Sequence, residues 1–298
     1  MAEWEHLLTE HRNKDSLDLD TMNTEALLRL MNREDAKVAP AVAAVIPEIA
    51  AAVEFALAAL RAGGRVIYVG AGTSGRLGVL DAAECPPTFG VERELVQAVI
   101  AGGDAAIFRP VEEAEDQAEA GAKDISLRKV GAKDFVLGIS ASGITPYVLG
   151  ALQYAKEVGA RTAVIVCNDR REAAALADVV IAPVVGPEVL TGSTRLKAGT
   201  AQKMVLNMIS TASMVKLGKV YQNLMVDMKP ANKKLQDRAT RIIREATGCD
   251  LEAARTALAD ADNEIKTAIV MLLTGWSAGE ARAALAKADG FVRRAIAR

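Results

Sequence analysis

The feature that most constrains the fold is a short apolar segment that runs directly into a glycine-rich turn and then into a helical pattern. Residues 65–69 (Arg-Val-Ile-Tyr-Val) have the composition of a buried strand, and the turn after them reads Gly70-Ala-Gly72-Thr-Ser-Gly75. A strand, a glycine-rich turn and a helix in this order present backbone N–H groups and a helix N-terminus to an anion. The sequence therefore predicts a phosphate-binding turn, to which Thr73 and Ser74 add hydroxyl donors and Arg76 adds a positive charge.

Strand and helix patterns alternate from residue 63 to about residue 220. Four further apolar segments have strand character, at 95–100, 134–139, 161–166 and 178–182. Aliphatic residues dominate the hydrophobic 51% of the chain and aromatic residues make up only 4%, which suits helices packed on a buried sheet. The alternation predicts an α/β fold with a doubly wound, mostly parallel sheet.

The patterns also predict three regions along the chain. Residues 1–62 are expected to form an N-terminal helical segment that packs on the core domain, and residues 63–228 the core domain itself. Residues 229–298 contain charged amphipathic helical patterns separated by glycine turns at Gly248 and Gly275, with no strand pattern. They predict a small C-terminal helical bundle.

Charge and cysteine usage limit the partners. The net charge is −2 and no basic stripe is present, so neither nucleic acid nor an anionic membrane is the favoured partner. No uncharged apolar run reaches the ~18 residues of a membrane span. The cysteines, Cys85, Cys167 and Cys249, lie far apart, which predicts a reducing, cytoplasmic environment. Because the histidines are His6 and His11 and no Cys/His cluster exists, no metal site is expected.

A second hydroxyl-rich turn follows the strand pattern at 134–139. It reads Ser140-Ala-Ser142-Gly143-Ile-Thr145, and Pro146 then suits the first position of a helix. Taken alone, this segment is equally consistent with an ordinary turn whose hydroxyls cap the helix. Since the carboxyl ends of parallel strands lie at one edge of a sheet, the two turns are expected to bind one ligand together.

The first turn also matches the dinucleotide pattern GxGxxG, so two alternatives stay open. A dinucleotide site needs an acidic residue at the end of the second strand to bind the ribose. Here that strand ends in Val99-Ile-Ala-Gly-Gly103, and Asp104 lies beyond it. The pattern therefore favours a compact phosphate over a dinucleotide, with a purely structural glycine turn as the other alternative.

Three glutamates are candidates for acid–base chemistry. Glu84 precedes Cys85-Pro86-Pro87, which is expected to end the helix near residue 83 and to place the carboxylate beside a loop. Glu115 lies in an acidic run, and the alternative to a catalytic role is that it lies on a solvated helix face. Glu188 is a third carboxylate that could enter the site. It precedes a third polar loop, residues 191–200. The hydroxyl groups of this loop could bind a ligand or, alternatively, cap the following helix.

These observations give a set of expected ligand-binding residues from the three polar loops. They are Gly72, Thr73, Ser74, Gly75, Arg76, Ser140, Ser142, Gly143, Thr145, Ser193 and Lys197.

In these segments the chain resembles the N-acetylmuramic acid 6-phosphate etherases, which have a sugar-isomerase (SIS) fold. The matching segments, read from this sequence, are Gly70–Gly78, Asp81–Gly90, Ala101–Gly103, Ala114–Asp116, Ala141–Gly143, Thr145–Tyr147, Thr191–Ser193, Arg195–Gln202, Asn223–Asp227, Ala246–Cys249 and Lys266–Val270. Glu84-Cys-Pro-Pro-Thr88 is much more specific than the glycine turn. The likeness covers nearly the whole chain and is loosest at the N-terminus.

The resemblance implies a cofactor-free lyase of peptidoglycan recycling. Its substrate would be a phosphorylated amino sugar, whose D-lactyl ether at C3 is cleaved to give N-acetylglucosamine 6-phosphate and D-lactate. By position, Glu84 would be the proton donor and Glu115 the base, in a homodimer whose site is shared between subunits. The C-terminal helices resemble a UBA-like bundle. Two alternatives stay open: a non-catalytic phosphosugar sensor related to the glucokinase regulatory protein, and an aldose–ketose isomerase with Glu188 as base.

Overall fold

The structure is a computed structural model that describes residues 7–168, 175, 177–230 and 232–297. The described residues form two compact units. The first comprises residues up to 83 together with 94–210, and the second comprises 84–93 together with the described residues from 211 onward. This division lies earlier in the chain than the predicted boundary near 229, and it assigns the segment around Glu84 to the second unit.

The first unit is built on a five-stranded parallel sheet. Its strands are β1 (Val66–Gly70), β2 (Val96–Ile100), β3 (Phe135–Ile139), β4 (Arg161–Ile165) and β5 (Val179–Ile181). Their order is β2-β1-β3-β4-β5, and every pairing is parallel. β1 and β3 are buried along their whole length, as expected for central strands covered on both faces. The sheet confirms the predicted α/β fold.

Helices connect the strands and precede them. They are α1 (Thr24–Asp35), α2 (Val38–Ala43), α3 (Ile46–Arg61), α4 (Gly72–Phe89), α5 (Ala105–Phe108), α6 (Ala118–Leu127), α7 (Pro146–Glu157) and α8 (Lys197–Lys216). Single 3-10 turns lie at Leu8–Glu10, Lys14–Ser16, Leu19–Thr21 and Ala114–Asp116. Glycines allow α6 and α7 to pack closely, because a Cβ at Gly121 would lie 1.9 Å from the Tyr147 carbonyl oxygen. Within the described residues, no single helix is long and apolar enough to cross a membrane. One bent pair of helices, 24–43 with 46–61, meets the criteria of length and composition when the two are taken together.

The helix α4 is longer than predicted. The expectation that Cys85-Pro86-Pro87 ends the helix near residue 83 is wrong, since α4 continues through both prolines to Phe89. Proline has a backbone φ that suits a helix, and the last turn is closed by the Gly90 N–H, which donates to the Pro86 carbonyl at 2.9 Å. Gly90 then ends the helix with a φ of 63°, where a Cβ would lie 2.1 Å from the Asp227 carbonyl oxygen.

The second unit is mainly helical and has its own hydrophobic core. Its helices after α8 are α9 (Lys233–Thr247), α10 (Leu251–Asp260), α11 (Ile265–Thr274), α12 (Ala278–Lys287) and α13 (Val292–Ala295). As expected, α9 and α11 end at Gly248 and Gly275, which have left-handed φ values of 77° and 78°. A short antiparallel hairpin, β6 (Val220–Tyr221) and β7 (Leu224–Met225), was not predicted.

Candidate active site

A cavity of ≈340 Å³ lies at the carboxyl ends of β1 and β3, which are neighbours in the sheet although β2 lies between them in sequence. In a sheet of this order, this is the point where the connections diverge and where ligands bind. The lining residues are Thr9, Glu10, Ala71, Gly72, Thr73, Ser74, Glu115, Asp116, Ile139, Ser140, Ala141, Ser142, Thr145, Pro146 and Thr194. Both predicted turns therefore meet at one cavity.

The first turn is shaped by its glycines. Gly72 has a left-handed φ of 51°, and it opens α4 at the cavity wall. Gly75 is not among the lining residues; a Cβ there would lie 2.6 Å from Ile100 Cγ1 and 2.8 Å from the Gly70 carbonyl oxygen. Gly75 thus allows α4 to pack against β1, while Thr73 and Ser74 line the cavity.

The second turn is held by a network of hydroxyl groups. The Ser140 Oγ is buried and accepts a hydrogen bond from the Gly143 N–H at 3.0 Å. The same oxygen is 2.8 Å from Thr145 Oγ1 and 3.3 Å from Ser142 Oγ. Gly143 has a φ of 84° and serves the turn itself, since it does not line the cavity. Ser140 therefore organises the turn, and Ser142 and Thr145 present their hydroxyls at its wall.

Glu115 lies at the cavity together with two other residues that carry carboxylates, Asp116 and Glu10. It belongs to the 3-10 turn Ala114–Asp116, which follows Glu113 in a left-handed conformation with φ of 60°. Glu115 and Asp116 are both exposed and both line the cavity, together with Glu10. The cavity lining contains no lysine or arginine among the described residues.

Glu10 and Thr9 were missed by the sequence analysis. The Thr9 side chain is buried, and its Oγ1 accepts from Asn168 Nδ2 at 2.9 Å. This contact, 159 residues apart in sequence, holds the 3-10 turn Leu8–Glu10 against the end of β4. The N-terminal segment has no local pattern that reveals such a position.

Glu84 does not line this cavity. It is exposed and lies on α4, in the part of that helix that belongs to the second unit. Of the predicted acid–base pair, Glu115 is among the lining residues of this cavity and Glu84 is not.

Arg76 and Lys197 occupy other positions than predicted. The Arg76 Nε donates to the Ile107 carbonyl at 3.0 Å, and Arg76 is absent from the cavity lining. Lys197 is fully buried, with its Nζ 2.6 Å from Glu34 Oε2. Burial raises the pKa of Glu34, but the hydrogen bonds and charges of Lys197 and Lys37 outweigh it and hold the pKa below its ordinary value. Lys197 thus forms a buried ion pair with Glu34, and its ammonium group is not presented to a ligand.

Glu188 also has a structural position. Its two carboxylate oxygens accept hydrogen bonds from the backbone N–H groups of Lys197 and Ala198, at 3.0 and 2.9 Å. It therefore caps the N-terminus of α8, a role for which the sequence offered the hydroxyls of residues 191–200 as one alternative. Burial raises the pKa of Glu188, and the two hydrogen bonds offset part of this increase. Ser193 is half-buried and does not line the cavity, whereas its neighbour Thr194 does.

A larger cavity of ≈630 Å³ lies in the second unit, lined by residues such as Lys219, Asp227 and Lys266. It contains none of the residues expected to bind substrate. The described part of the chain holds no group of three or more His, Cys, Asp or Glu residues suited to a metal ion.

Comparisons with known proteins give the class first. Residues 48–156 match the model of the glucokinase regulatory protein N-terminal SIS domain, and residues 109–212 match that of the SIS domain. A solved structure described as a phosphosugar isomerase involved in capsule formation, from Bacteroides fragilis, has the same fold. It is 20% identical, with a TM-score of 0.50, over 67% of this chain and 93% of that one. Together with the sheet order and the hydroxyl-lined cavity, these matches define an SIS-domain protein.

The particular family follows from closer relatives. The chain is 60% identical to the N-acetylmuramic acid 6-phosphate etherase of Pectobacterium atrosepticum, over 90% of its own length and 88% of that protein. It is 56% identical to the enzyme of the same name from Erwinia tasmaniensis, over 90% and 87% of the two chains. The chain belongs to the N-acetylmuramic acid 6-phosphate etherase family, as its motifs suggested.

Proposed function

We propose that this chain cleaves the D-lactyl ether of N-acetylmuramic acid 6-phosphate, giving N-acetylglucosamine 6-phosphate and D-lactate. The observation that carries the proposal is the convergence of two hydroxyl-bearing turns and Glu115 at one cavity, in a chain of the etherase family. Such a reaction serves peptidoglycan recycling. We place the reaction in the cytoplasm, because the three free cysteines fit a reducing environment.

The phosphate is bound by neutral donors. Thr73, Ser74, Ser142 and Thr145 place hydroxyl groups at the cavity, and α4 and α7 both begin there. The N-termini of helices favour an anion through their free N–H groups and their dipole. With no cation in the described lining, hydroxyls and helix ends provide the attraction that a lysine or arginine provides elsewhere.

The remaining chemistry is acid–base and requires no cofactor. When the sugar ring opens, the aldehyde acidifies the proton at C2, and the Glu115 carboxylate removes it. The electron pair then expels the C3 oxygen, which leaves as lactate after it takes a proton from Glu84. Water then adds across the double bond: Glu84 takes a proton from the water as its oxygen bonds to C3, and Glu115 returns a proton to C2, which gives the product and restores both carboxyl groups. The phosphate contacts hold the substrate while its carbons change hybridisation.

The absence of Glu84 from the cavity lining supports a homodimer. Glu115 lines the cavity, whereas the expected proton donor, Glu84, is not among the lining residues. A site shared by two copies resolves this, because Glu84 of the partner subunit can then complete the cavity that holds Glu115. Each dimer would contain two such sites, related by its twofold axis.

The isomerase alternative lacks its base in this structure. Both oxygens of Glu188 accept backbone hydrogen bonds at the N-terminus of α8, and the side chain is absent from the cavity lining. The sensor alternative is consistent with the match to the glucokinase regulatory protein domain. It differs from an etherase in one measurable respect, because a sensor binds the phosphosugar without releasing lactate.

The test is an enzymatic assay for D-lactate with N-acetylmuramic acid 6-phosphate as substrate. We expect the native protein to release D-lactate and Glu115→Gln to lower turnover by ~10²-fold or more while phosphosugar binding persists. Glu119→Gln, an equally exposed carboxylate on α6 outside the cavity lining, is the matched control and should retain native turnover. Binding without lactate release by the native protein would support the sensor and exclude the etherase.

A further inference from the structure

The hydroxyl group of Ser74 is held from behind by a residue outside the phosphate turns. Its Oγ lies 2.9 Å from Oε1 of Gln202, which is on α8 and only 1% exposed. The first turns of α8 and α4 are in contact here, since a Cβ at Gly199 would lie 3.5 Å from Thr73 Cγ2. Gln202 therefore backs the wall of the cavity that binds the phosphate.

Only one of the two polar atoms of the Gln202 carboxamide, Oε1, has a hydrogen-bond partner among the described residues. Its Nε2 is buried and has no hydrogen-bond partner among the described residues. In this arrangement Ser74 donates its proton to Oε1, so its oxygen presents only lone pairs to the cavity. A phosphate group accepts hydrogen bonds and offers none when fully ionised. This orientation of the amide therefore opposes phosphate binding.

Rotation of the amide by half a turn reverses the situation. The Nε2–H then donates to Ser74 Oγ, and the Ser74 proton is released to point at a phosphate oxygen. The buried group without a partner becomes a carbonyl oxygen, which proteins tolerate better than an orphaned N–H. The two ends of a carboxamide have nearly the same size, so the rotation needs no repacking.

We propose that Gln202 is a positioning residue that directs the hydroxyl proton of Ser74 at the substrate phosphate. The inference rests on the proposed function, because it takes the cavity as the phosphate site. It also explains why a glutamine is suited to this buried position: a carboxylate would capture the serine proton, and an apolar side chain would leave it undirected.

The experiment measures phosphate binding instead of turnover. Calorimetric titrations of the full chain with N-acetylglucosamine 6-phosphate and with inorganic phosphate compare native protein, Gln202→Glu and Gln202→Met. At pH 8 we expect Gln202→Glu to weaken binding ~10- to 100-fold and Gln202→Met to weaken it several-fold, because only the former withdraws the proton and adds a negative charge near the phosphate. Lower pH protonates the carboxylate that Gln202→Glu introduces, and it should restore the affinity of this variant relative to the native protein at the same pH.

Two controls separate positioning from structural damage. Gln236→Glu makes the same chemical change at an exposed site on α9 and should bind as the native protein does. In a Ser74→Ala background, Gln202→Glu should cost clearly less than in the native background, since no serine proton remains to be captured and only the repulsion between the carboxylate and the phosphate persists. Equal losses for Gln202→Glu and Gln202→Met, or the full loss in the Ser74→Ala background, would overturn the proposal. Lactate release by the native protein is a separate measurement, so its failure would refute the etherase function alone.

Discussion

The buried ion pair of Lys197 and Glu34 allows a quantitative prediction of stability. Their charged atoms are 2.6 Å apart, and the two side chains are 2% and 3% exposed. Lys197→Met keeps the apolar stem and removes the ammonium group, which leaves Glu34 paired with Lys37 alone. Removal of one member of a buried pair costs ~3–5 kcal/mol. Because Lys37 retains part of the compensation, we expect the lower end of this range.

Chemical denaturation of the purified protein measures the effect, with two further variants as references. Lys37→Met removes the other partner of Glu34. Because the Lys37 side chain is 53% exposed, this substitution should cost less than ~1 kcal/mol. The double variant Lys197→Met with Glu34→Leu removes both charges and should recover most of the loss. If Lys197→Met is no more destabilising than Lys37→Met, the pair is not buried as the structure places it.

The same pair predicts a pH dependence. Burial raises the pKa of Glu34, but Lys197 and Lys37 lower it more, so the folded value lies below the ordinary 4.5. The stabilisation is therefore fully present above pH 4.5 and is lost as pH falls through the folded pKa. Lys197→Met should lose less stability than the native protein between pH 6 and pH 3. Parallel pH profiles of the two proteins would contradict this.

The packing and the turn chemistry give two further predictions. Gly121→Ala should destabilise the protein by ~1–3 kcal/mol or more, because the new Cβ would clash with the Tyr147 carbonyl oxygen. Gly131→Ala, whose Cβ would have open space around it, should leave stability unchanged. Thermal unfolding of the two variants tests this difference. Ser140→Ala leaves the buried Gly143 N–H without its acceptor, so it should lower stability by ~1–3 kcal/mol and raise KM ~10-fold, and an unchanged KM would contradict the role given to this hydroxyl.

The sheet and the two hydroxyl-bearing turns could be predicted from sequence because their signals are local. β1 and β3 are buried on both faces and therefore form continuous apolar runs, and each is followed at once by its hydroxyl-bearing turn. Parallel strands bring these turns to one edge by geometry alone. The meeting of Ser74 and Ser142 at one cavity followed from that rule.

The roles of Lys197 and Glu188 could not be predicted, because they depend on distant residues. Lys197 finds its partner Glu34 163 residues earlier in the chain, and no local pattern announces that contact. Glu188 competes with the nearer Ser193 for the cap of α8, and tertiary placement decides in favour of the carboxylate. For the same reason the position of Thr9 beside Asn168 was hidden.

Local sequence rules also gave the wrong end for α4 and missed the hairpin of β6 and β7. The consecutive prolines Pro86 and Pro87 suggested a helix end, but their φ is compatible with the final turn of α4, which ends at Gly90. The hairpin of β6 and β7 has strands of two residues each, too short for an alternating pattern to be visible.

Mixing of two inactive variants tests the account most directly. Glu84→Gln and Glu115→Gln are each expected to release D-lactate from N-acetylmuramic acid 6-phosphate at ~1% of the native rate or less. In a heterodimer of the two, one of the two sites regains both glutamates. Half of randomly assembled dimers are heterodimers, so co-refolding equal amounts should restore about a quarter of native activity. A mixture that stays as inactive as its components would contradict a catalytic site shared between subunits.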